Sequence, residues 1–236
     1  MSVVFSQHAA PSTQHSIPVV ILTFALGLIV DQYAGLAGQI AVGVWSWAVF
    51  FWLLRISPRE WRLLFYVCLV WATAGEIFLS LVWGLYTYRL GNIPLFIPPG
   101  HVMLFYLGLV LAPRAPRPFV ALVTAAAVGY LAYTWVQGFD TISIPLTMLF
   151  LLCMLQAAGR RLYAVMFTAS LALEVYGTWM GNWVWHADVP YVGFNSANPP
   201  LAAGAFYCAL DVLAGLTART LQRVPPAAAT ATIQTG

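Results

Sequence analysis

The sequence predicts an all-α membrane protein: a polytopic bundle of about eight transmembrane helices, arranged as two parallel four-helix repeats. Three observations predict this fold class. Hydrophobic residues make up 61% of the 236 residues and charged residues only 7%, which is too little polar surface for a soluble domain of this size. Long apolar runs without period-2 alternation favour helices over a barrel. The two halves of the chain also share an order of unusual residue types.

Eight apolar segments are candidate spanning helices, and a complete crossing needs roughly 20 residues. In chain order they cover residues 16–31, 33–54, 63–86, 99–112, 119–136, 143–158, 163–185 and 200–218. The fourth and sixth segments are short for a crossing, so seven spans is the competing count. The distribution of charge favours eight.

Basic residues follow the positive-inside pattern if all eight segments cross the membrane. All ten are Arg, and with the N-terminus inside nine of them fall on the cytoplasmic side. These nine are Arg55, Arg59, Arg62, Arg114, Arg117, Arg160, Arg161, Arg219 and Arg223. Only Arg89 lies on the other side. The net charge of +3 therefore reflects topology and not nucleic-acid binding, and both termini are predicted to be cytoplasmic.

The segments predict one membrane domain, residues 16–218, with repeat halves of 16–112 and 119–218. The polar stretch 1–15 is predicted to be disordered. The stretch 219–236 is rich in Pro, Ala and Thr after its arginines and is predicted to be a disordered cytoplasmic tail. Arg without any Lys, together with abundant Ala, is typical of GC-rich bacterial genomes, so the plasma (inner) membrane is the expected location.

The internal similarity is centred on Glu76 and Glu174. Each is predicted to lie in a helix with a hydroxyl four residues later, and each helix runs outward through aromatic residues into a Pro-rich loop. The first series is Glu76, Ser80, Trp83, Tyr86, Tyr88, Asn92, Pro98 and Pro99, and the second is Glu174, Thr178, Trp179, Trp183, Trp185, Pro190, Pro199 and Pro200. The loops 87–101 and 186–200 are expected to fold over the helix ends as a lid.

The seven acidic residues fall into two groups. Four are expected at solvated loops or helix ends: Asp31, Glu60, Asp140 and Asp188. Glu76, Glu174 and Asp211 lie near helix midpoints, where a charged side chain costs about 2.5 kcal/mol or more, and such residues mark functional sites by default. The alternative is that these carboxyls only join helices through hydrogen bonds, with Ser80 and Thr178 as local partners.

Metal and cofactor sites are not predicted. His101 and His186 are expected at the external surface, roughly 15 Å from the mid-membrane glutamates by helical rise. No HxxxH or ExxH spacing occurs, which argues against a histidine-rich di-iron site. The three cysteines each lie in an apolar run and are interpreted as small buried hydrophobes.

Aromatic residues follow both glutamates toward the external side, and a subset of them could wall a cavity with an acidic floor. Such a cavity suits a long apolar ligand, and aromatic faces stabilise a passing carbocation by cation–π attraction. The candidate catalytic residues are Glu76, Glu174 and Asp211. The candidate substrate-binding residues are Trp83, Tyr86, Tyr88, Trp179, Asn182, Trp183, Ser80 and Thr178.

Two motif-bearing stretches resemble the membrane carotenoid hydratases of the bisanhydrobacterioruberin hydratase type. They contain Glu76, Gly91, Pro94 and Ile97-Pro98 in the first half, and Gly181-x-Trp183-x-Trp185, Tyr191-x-Gly193 and Asn195 in the second. The chain's size, an early Glu and a late Asp are also similar to small integral-membrane terpene cyclases. That resemblance implies catalytic acids at Glu76 and Asp211.

Both resemblances imply one kind of chemistry: an intramembrane carboxylic acid protonates an alkene or epoxide, and water or an internal double bond captures the cation. The leading hypothesis is therefore an enzyme, a lyase or a cyclase, acting on an isoprenoid or carotenoid-like lipid. The rivals are a proton-coupled transporter or channel using the same carboxyls, and a non-catalytic membrane subunit. An enzyme predicts a pocket open sideways to lipid, a transporter predicts a path between two faces, and a packing role predicts no cavity.

Overall fold

The computed structural model describes residues 13–223, and over that range the chain is all-α apart from one small ribbon. The helices are α1 (Thr13–Tyr33), α2 (Gly35–Ile56), α3 (Arg59–Glu76), α4 (Ile97–Leu111), α5 (Arg117–Gln137), α6 (Ser143–Met154), α7 (Arg160–Met180) and α8 (Gly204–Arg223). The strands are β1 (Tyr86–Tyr88) and β2 (Trp183–Trp185). A π-helical segment, Ile77–Val82, continues α3, and short 3₁₀ turns cover Ala112–Arg114 and Ala157–Gly159. The prediction of an all-α fold is confirmed.

Among residues 13–223, four helices are long and apolar enough to cross a membrane: α1, α2, α3 with its π-helical extension, and α5. Helices α6 and α7 reach this standard only as a pair, and they are bent by 101° at the break between them. If that pair forms one broken span, the count is five.

Each predicted segment overlaps one helix, but three segments were predicted to end too late. Segment 143–158 extends past Met154, the last residue of α6, and the other two extend into the strands. Segments 63–86 and 163–185 contain the ends of α3 and α7, where Gly84 (φ +76°) and Gly181 (φ +79°) adopt left-handed backbone conformations and turn the chain into the strands. The predicted disordered stretches also begin or end differently. Residues 13–15 and 219–223 are helical, and the remainder of 1–15 and 219–236 lies outside the described residues.

The connections gather at the two opposite ends of the bundle. At one end, here called the strand end, lie β1, β2 and the α5–α6 turn, where the Asn195 backbone N–H donates to Thr141 Oγ1 at 2.9 Å. At the other end, here called the arginine end, lie the α2–α3, α4–α5 and α6–α7 connections. Arg161 donates there to the Pro113 carbonyl at 3.4 Å.

Helix α4 forms the centre of the bundle and packs against α1, α2, α3 and α7. Its residues from Val102 to Val110 are all buried, including the large side chains of Phe105 and Tyr106. Helix α5 is the opposite case, because only Ala127 and Thr134 of its 21 residues are buried. It packs against α6 and α7 at the edge of the molecule.

Two of the carboxylates that were expected to be solvated are buried at the strand end. Asp31 accepts hydrogen bonds from Gln39 Nε2 at 3.1 Å and Asn182 Nδ2 at 2.7 Å, and its Oδ1 lies 3.7 Å from Arg89 Nη2. The prediction for Asp31 was wrong because two residues of the ribbon fold back over the end of α1. Arg89 directly follows β1, and Asn182 directly precedes β2.

Asp140 was likewise predicted to be solvated and is completely buried. Its carboxylate accepts hydrogen bonds from Tyr130 Oη at 2.8 Å and Ser143 Oγ at 2.6 Å. The backbone N–H groups of Ala197 and Leu201 also donate to it, at 2.9 and 3.1 Å. Asp140 therefore fixes the long loop between β2 and α8 onto the α5–α6 turn. Glu60 and Asp188 are exposed, as predicted.

Candidate active site

A two-stranded antiparallel ribbon connects the two halves of the chain. Tyr86 pairs with Trp185, and Tyr88 pairs with Trp183. Alternate residues of a strand point to opposite faces, and here all four of these aromatic side chains are buried. The ribbon thus presents two phenols and two indoles to the interior of the bundle.

Glu76, the last residue of α3, is held by the two tyrosines of β1. Tyr88 Oη donates to Glu76 Oε2 at 2.6 Å, and Tyr86 Oη donates to the same oxygen at 2.9 Å. The carboxyl is buried, so these hydrogen bonds replace the water that it loses.

Glu174, in the last third of α7, is held in the same way by the two tryptophans of β2. The indole Nε1 groups of Trp183 and Trp185 donate to Glu174 Oε2 at 2.8 and 3.1 Å. Gly177 makes room for this arrangement, because a Cβ added there would stand 1.9 Å from Cη2 of Trp183. The absence of a side chain at position 177 therefore lets the indole pack directly against α7.

The other oxygen of each glutamate faces the helix that follows its loop. His101 Nε2 of α4 lies 3.3 Å from Glu76 Oε1, and Tyr207 Oη of α8 donates to Glu174 Oε1 at 3.1 Å. The His101 and Tyr207 rings stack with centroids 5.0 Å apart and planes 10° from parallel. The two carboxyls thus meet across a stacked pair of rings.

The location of His101 beside Glu76 contradicts the prediction that it lies roughly 15 Å away. That distance assumed straight helices that all begin at the membrane surface. Instead Glu76 ends the regular part of α3, and the loop after β1 folds inward so that α4 begins at Ile97, one turn before His101. His186 does stay outside this cluster and lies 2.7 Å from Thr87 Oγ1 on an exposed part of the ribbon.

One hydrogen bond of His101 orients its ring. His101 Nδ1 lies 3.0 Å from the carbonyl oxygen of Ile97, which can only accept, so Nδ1 carries a hydrogen. The other ring nitrogen, Nε2, therefore faces Glu76 Oε1 at 3.3 Å.

Two cavities meet at this cluster. The larger, about 430 Å³, lies between α3 and α8, with exposed side chains of Trp71, Phe78 and Leu213 at its rim. The smaller, about 50 Å³, lies on the side of α1, α2 and α4. Five residues line both cavities: Glu76, Tyr86, His101, Glu174 and Tyr207. The larger cavity is otherwise formed by alanines, leucines and aromatic rings, so it accepts an apolar molecule.

Several residues predicted for the site lie elsewhere. Asp211 is buried on α8 but lines neither cavity. Trp179 is on the outer surface, and Trp83 donates to the carbonyl of Pro190 at 3.0 Å. Asn182 binds Asp31 instead of the cavity.

The hydroxyls expected to bind the glutamates have other partners. Ser80 Oγ donates to the backbone carbonyl of Tyr86 at 3.1 Å. Thr178 Oγ1 donates to the backbone carbonyl of Glu174 at 2.8 Å, a bond within its own helix. Neither contacts a carboxyl: the Thr178 hydroxyl reaches back to the carbonyl four residues earlier in its helix, and the Ser80 hydroxyl binds the strand that follows.

Sequence reasoning also missed Tyr207 as a partner of Glu174, and it left Trp185 out of the candidate site. A signal for both was present in the internal similarity. If the comparison of the halves is continued past each Pro-rich loop, His101 near the start of α4 corresponds to Tyr207 near the start of α8.

Among residues 13–223, no group of three or more His, Cys, Asp or Glu side chains is placed to hold a metal ion. No protein-family model, curated protein or solved structure matches the chain.

Proposed function

We propose that the protein is an integral membrane enzyme that performs acid–base chemistry on an isoprenoid or carotenoid-like lipid. One observation carries the proposal: two carboxyls and an imidazole lie together at the inner end of an apolar cavity whose rim lies between two helices. A lipid dissolved in the bilayer can enter such a cavity sideways, as the enzyme hypothesis requires. A carboxyl that served only to pack helices would not need a cavity.

The proposed reaction begins with proton transfer from the Glu76–His101 pair to one carbon of an alkene. The cation forms on the neighbouring carbon, where the faces of Tyr86 and Trp185 and the carboxylate of Glu174 stabilise it. In hydration, a water oxygen bonds to that carbon, and Glu174 Oε1 accepts the proton that the water releases. In cyclisation, an internal double bond forms the new carbon–carbon bond, and Glu174 removes a proton from an adjacent carbon.

The proposal includes a complete topology of eight spans, with both termini on the cytoplasmic side of the plasma membrane. Its support is that successive connections alternate between the strand end and the arginine end, as eight crossings require. We also propose that the two halves are parallel repeats. The support is that Glu76 and Glu174 have equivalent contacts. Each contacts two aromatic residues of the strand that follows its helix, and one ring of the next helix.

Proton-coupled transport is the second candidate, and the smaller cavity favours it. This cavity lies opposite the larger one across the same five residues, and about 50 Å³ is enough for a water molecule. Waters in the two cavities would bring protons to these five residues from two sides. Proteoliposomes loaded with a pH-sensitive dye test this function directly, because an enzyme alone leaves an imposed pH gradient intact.

The deciding experiment is mass spectrometry of lipids from cells that express wild type, Glu76→Gln or Glu174→Gln and receive a panel of acyclic carotenoids and prenyl lipids. Glu60→Gln is the matched control, because Glu60 is exposed and far along α3 from the cavity. We expect a product heavier by one water, or an isomer of changed retention, in wild type and the control. Loss of a general acid lowers the rate about 10²–10⁴-fold, so both site variants should form almost none. The proposal would be contradicted if cells with folded wild-type protein in the membrane formed no new lipid from any member of the panel.

A further inference from the structure

A long groove runs beside α5, away from the candidate active site. Its volume is about 1110 Å³, and it lies between α5 and the junction of α6 with α7. The apolar wall is built from small and aliphatic side chains, among them Val120, Val128 and Leu151. None of its lining residues lines either cavity at the glutamates. The groove is therefore a separate feature of the fold.

Three arginines form one mouth of this groove. Arg117 begins α5, and Arg160 and Arg161 begin α7. All three are exposed, and Arg160 Nε and Arg161 Nη1 donate to the backbone carbonyls of Met154 and Pro113, at 2.8 and 3.4 Å. Within residues 13–223, the ion pairs join only Arg89 to Asp31 and His101 to Glu76, so no described carboxylate neutralises these arginines.

Two helix N-termini add to the positive potential at the same mouth. Helices α5 and α7 both begin there and have 21 residues each. The N-terminal end of each helix carries a partial positive charge from the helix dipole, which favours an anion. Arg side chains bind phosphate oxygens through two parallel hydrogen bonds. The mouth therefore combines two features that bind a phosphate group, arginine side chains and helix N-termini.

The length of the groove matches the acyl chain of a phospholipid. Gly129, at its far end, lies twelve residues from Arg117, which corresponds to about 18 Å at 1.5 Å per residue. One leaflet of the hydrocarbon core is about 15 Å deep. An acyl chain whose headgroup sits at the arginines would thus lie along the whole groove within a single leaflet.

We propose that this groove binds one anionic phospholipid, with its phosphate at Arg117, Arg160 and Arg161 and an acyl chain along α5. The lipid would cover the side of α5 that the bundle leaves open. A basic pocket between membrane helices on the cytoplasmic side is a recognised setting for anionic headgroups. The site is independent of the reaction proposed above.

Native mass spectrometry of the purified, delipidated protein tests the proposal. The probes are dioleoyl phosphatidylglycerol, dioleoyl phosphatidylcholine with the same chains, and inorganic phosphate. We expect one phosphatidylglycerol to bind at least about tenfold more tightly than phosphatidylcholine, a difference of about 1.4 kcal/mol. Equal binding of the two lipids would overturn the proposal. Displacement of phosphatidylglycerol by millimolar inorganic phosphate alone would also overturn it, because the site would then recognise free phosphate.

Two pairs of variants locate the bound lipid. R117Q/R160Q should weaken phosphatidylglycerol binding about tenfold or more, whereas R55Q/R59Q removes the same charge outside the groove and should change it less than about twofold. Gly129→Leu places a side chain in the groove, since nothing lies within 4 Å of the added Cβ. It should reduce occupancy, while Ala126→Leu, on an exposed part of α5 outside the groove, should not. Equal effects within either pair would contradict the assignment.

Discussion

At the scale of single residues, each glutamate divides its two oxygens between different tasks. Oε2 accepts two hydrogen bonds from aromatic side chains of a strand, and this fixes the position of the carboxyl. Oε1 of Glu76 faces His101, and Oε1 of Glu174 accepts a hydrogen bond from Tyr207. In each carboxyl the strand therefore holds one oxygen, and the following helix contacts the other.

His101 should be required for turnover but not for the shape of the site. His101→Phe keeps a ring that can stack on Tyr207 and removes Nε2, so proton transfer through Glu76 loses its partner. We expect product formation to fall about 10²–10⁴-fold. His186→Phe is the control, because His186 is exposed and lines neither cavity. Equal product from both variants, measured per folded protein by mass spectrometry, would remove His101 from the mechanism.

Replacing Asp211 should not lower stability, because neither of its carboxyl oxygens has a hydrogen-bond partner among the described residues. A buried polar group without a partner costs about 1–3 kcal/mol, and an apolar group of similar shape avoids that cost. Asp211→Leu should therefore unfold in detergent at the same temperature as wild type or a higher one. A clear drop in the unfolding temperature would mean that the carboxyl has a stabilising partner. Retained product formation in this variant would separate Asp211 from the acid–base set predicted from the sequence.

At the scale of secondary structure, the helices could be predicted from the sequence and the ribbon could not. Apolar runs of helical length mark α1, α2, α3 and α5 because only a membrane helix needs so many consecutive apolar residues. Each strand has only three residues and closely follows an apolar helix, with Asn182 the one polar residue in either connection, so its aromatic residues were assigned to the helix end. The left-handed glycines at 84 and 181 were the available signal, since each sits where a helix gives way to a strand.

Gly177 should tolerate no side chain. In Gly177→Ala, the new Cβ would overlap the Trp183 ring and push the indole away from Glu174. Overpacking of this kind costs about 1–3 kcal/mol, which should lower the unfolding temperature and shift the tryptophan fluorescence. Gly129→Ala is the matched control in α5, where the added Cβ meets nothing within 4 Å. There the higher helix propensity of Ala should leave stability unchanged or slightly raised. The same loss of stability in both variants would contradict this account.

Asp140 should hold the loop between β2 and α8 in place. Asp140→Ala removes an acceptor shared by two side chains and two backbone N–H groups, and it leaves Ala197 and Leu201 without their partner. Buried donors left unpaired cost about 1–3 kcal/mol each, so limited proteolysis within 186–203 should become faster. Asp188→Ala changes an exposed carboxylate of the same loop and should be cleaved like wild type. Equal resistance of the two variants would show that other contacts hold the loop.

At the scale of the whole molecule, the sequence predicted where helices lie along the chain better than how they pack beside each other. Pairing of Glu76 with Glu174 follows from the meeting of β1 and β2, which are separated by almost 100 of the 236 residues, and no local pattern encodes that contact. Burial of Asp31 and Asp140 depends in the same way on distant loops. The distribution of arginines favours eight crossings because it indicates on which side each connection lies. It carries no information on the path between two connections, so it does not distinguish a tilted or broken helix from a straight one.

The proposed eight spans make a specific prediction for α6 and α7. If each crosses the membrane, the α5–α6 turn and the loop after β2 face the same side, and cysteines placed at Phe139 and Tyr191 should both react from outside with an impermeant maleimide. Cysteines at Glu60 and Ala158 should react only after permeabilisation. All four positions are exposed, whereas the native Cys68, Cys153 and Cys208 are buried, so the wild-type protein supplies a low background. If α6 and α7 instead cross as one bent span, Phe139→Cys and Tyr191→Cys would label from opposite sides. The hydrogen bond between Asn195 and Thr141 argues against that outcome, because it joins these two loops at a distance of 2.9 Å.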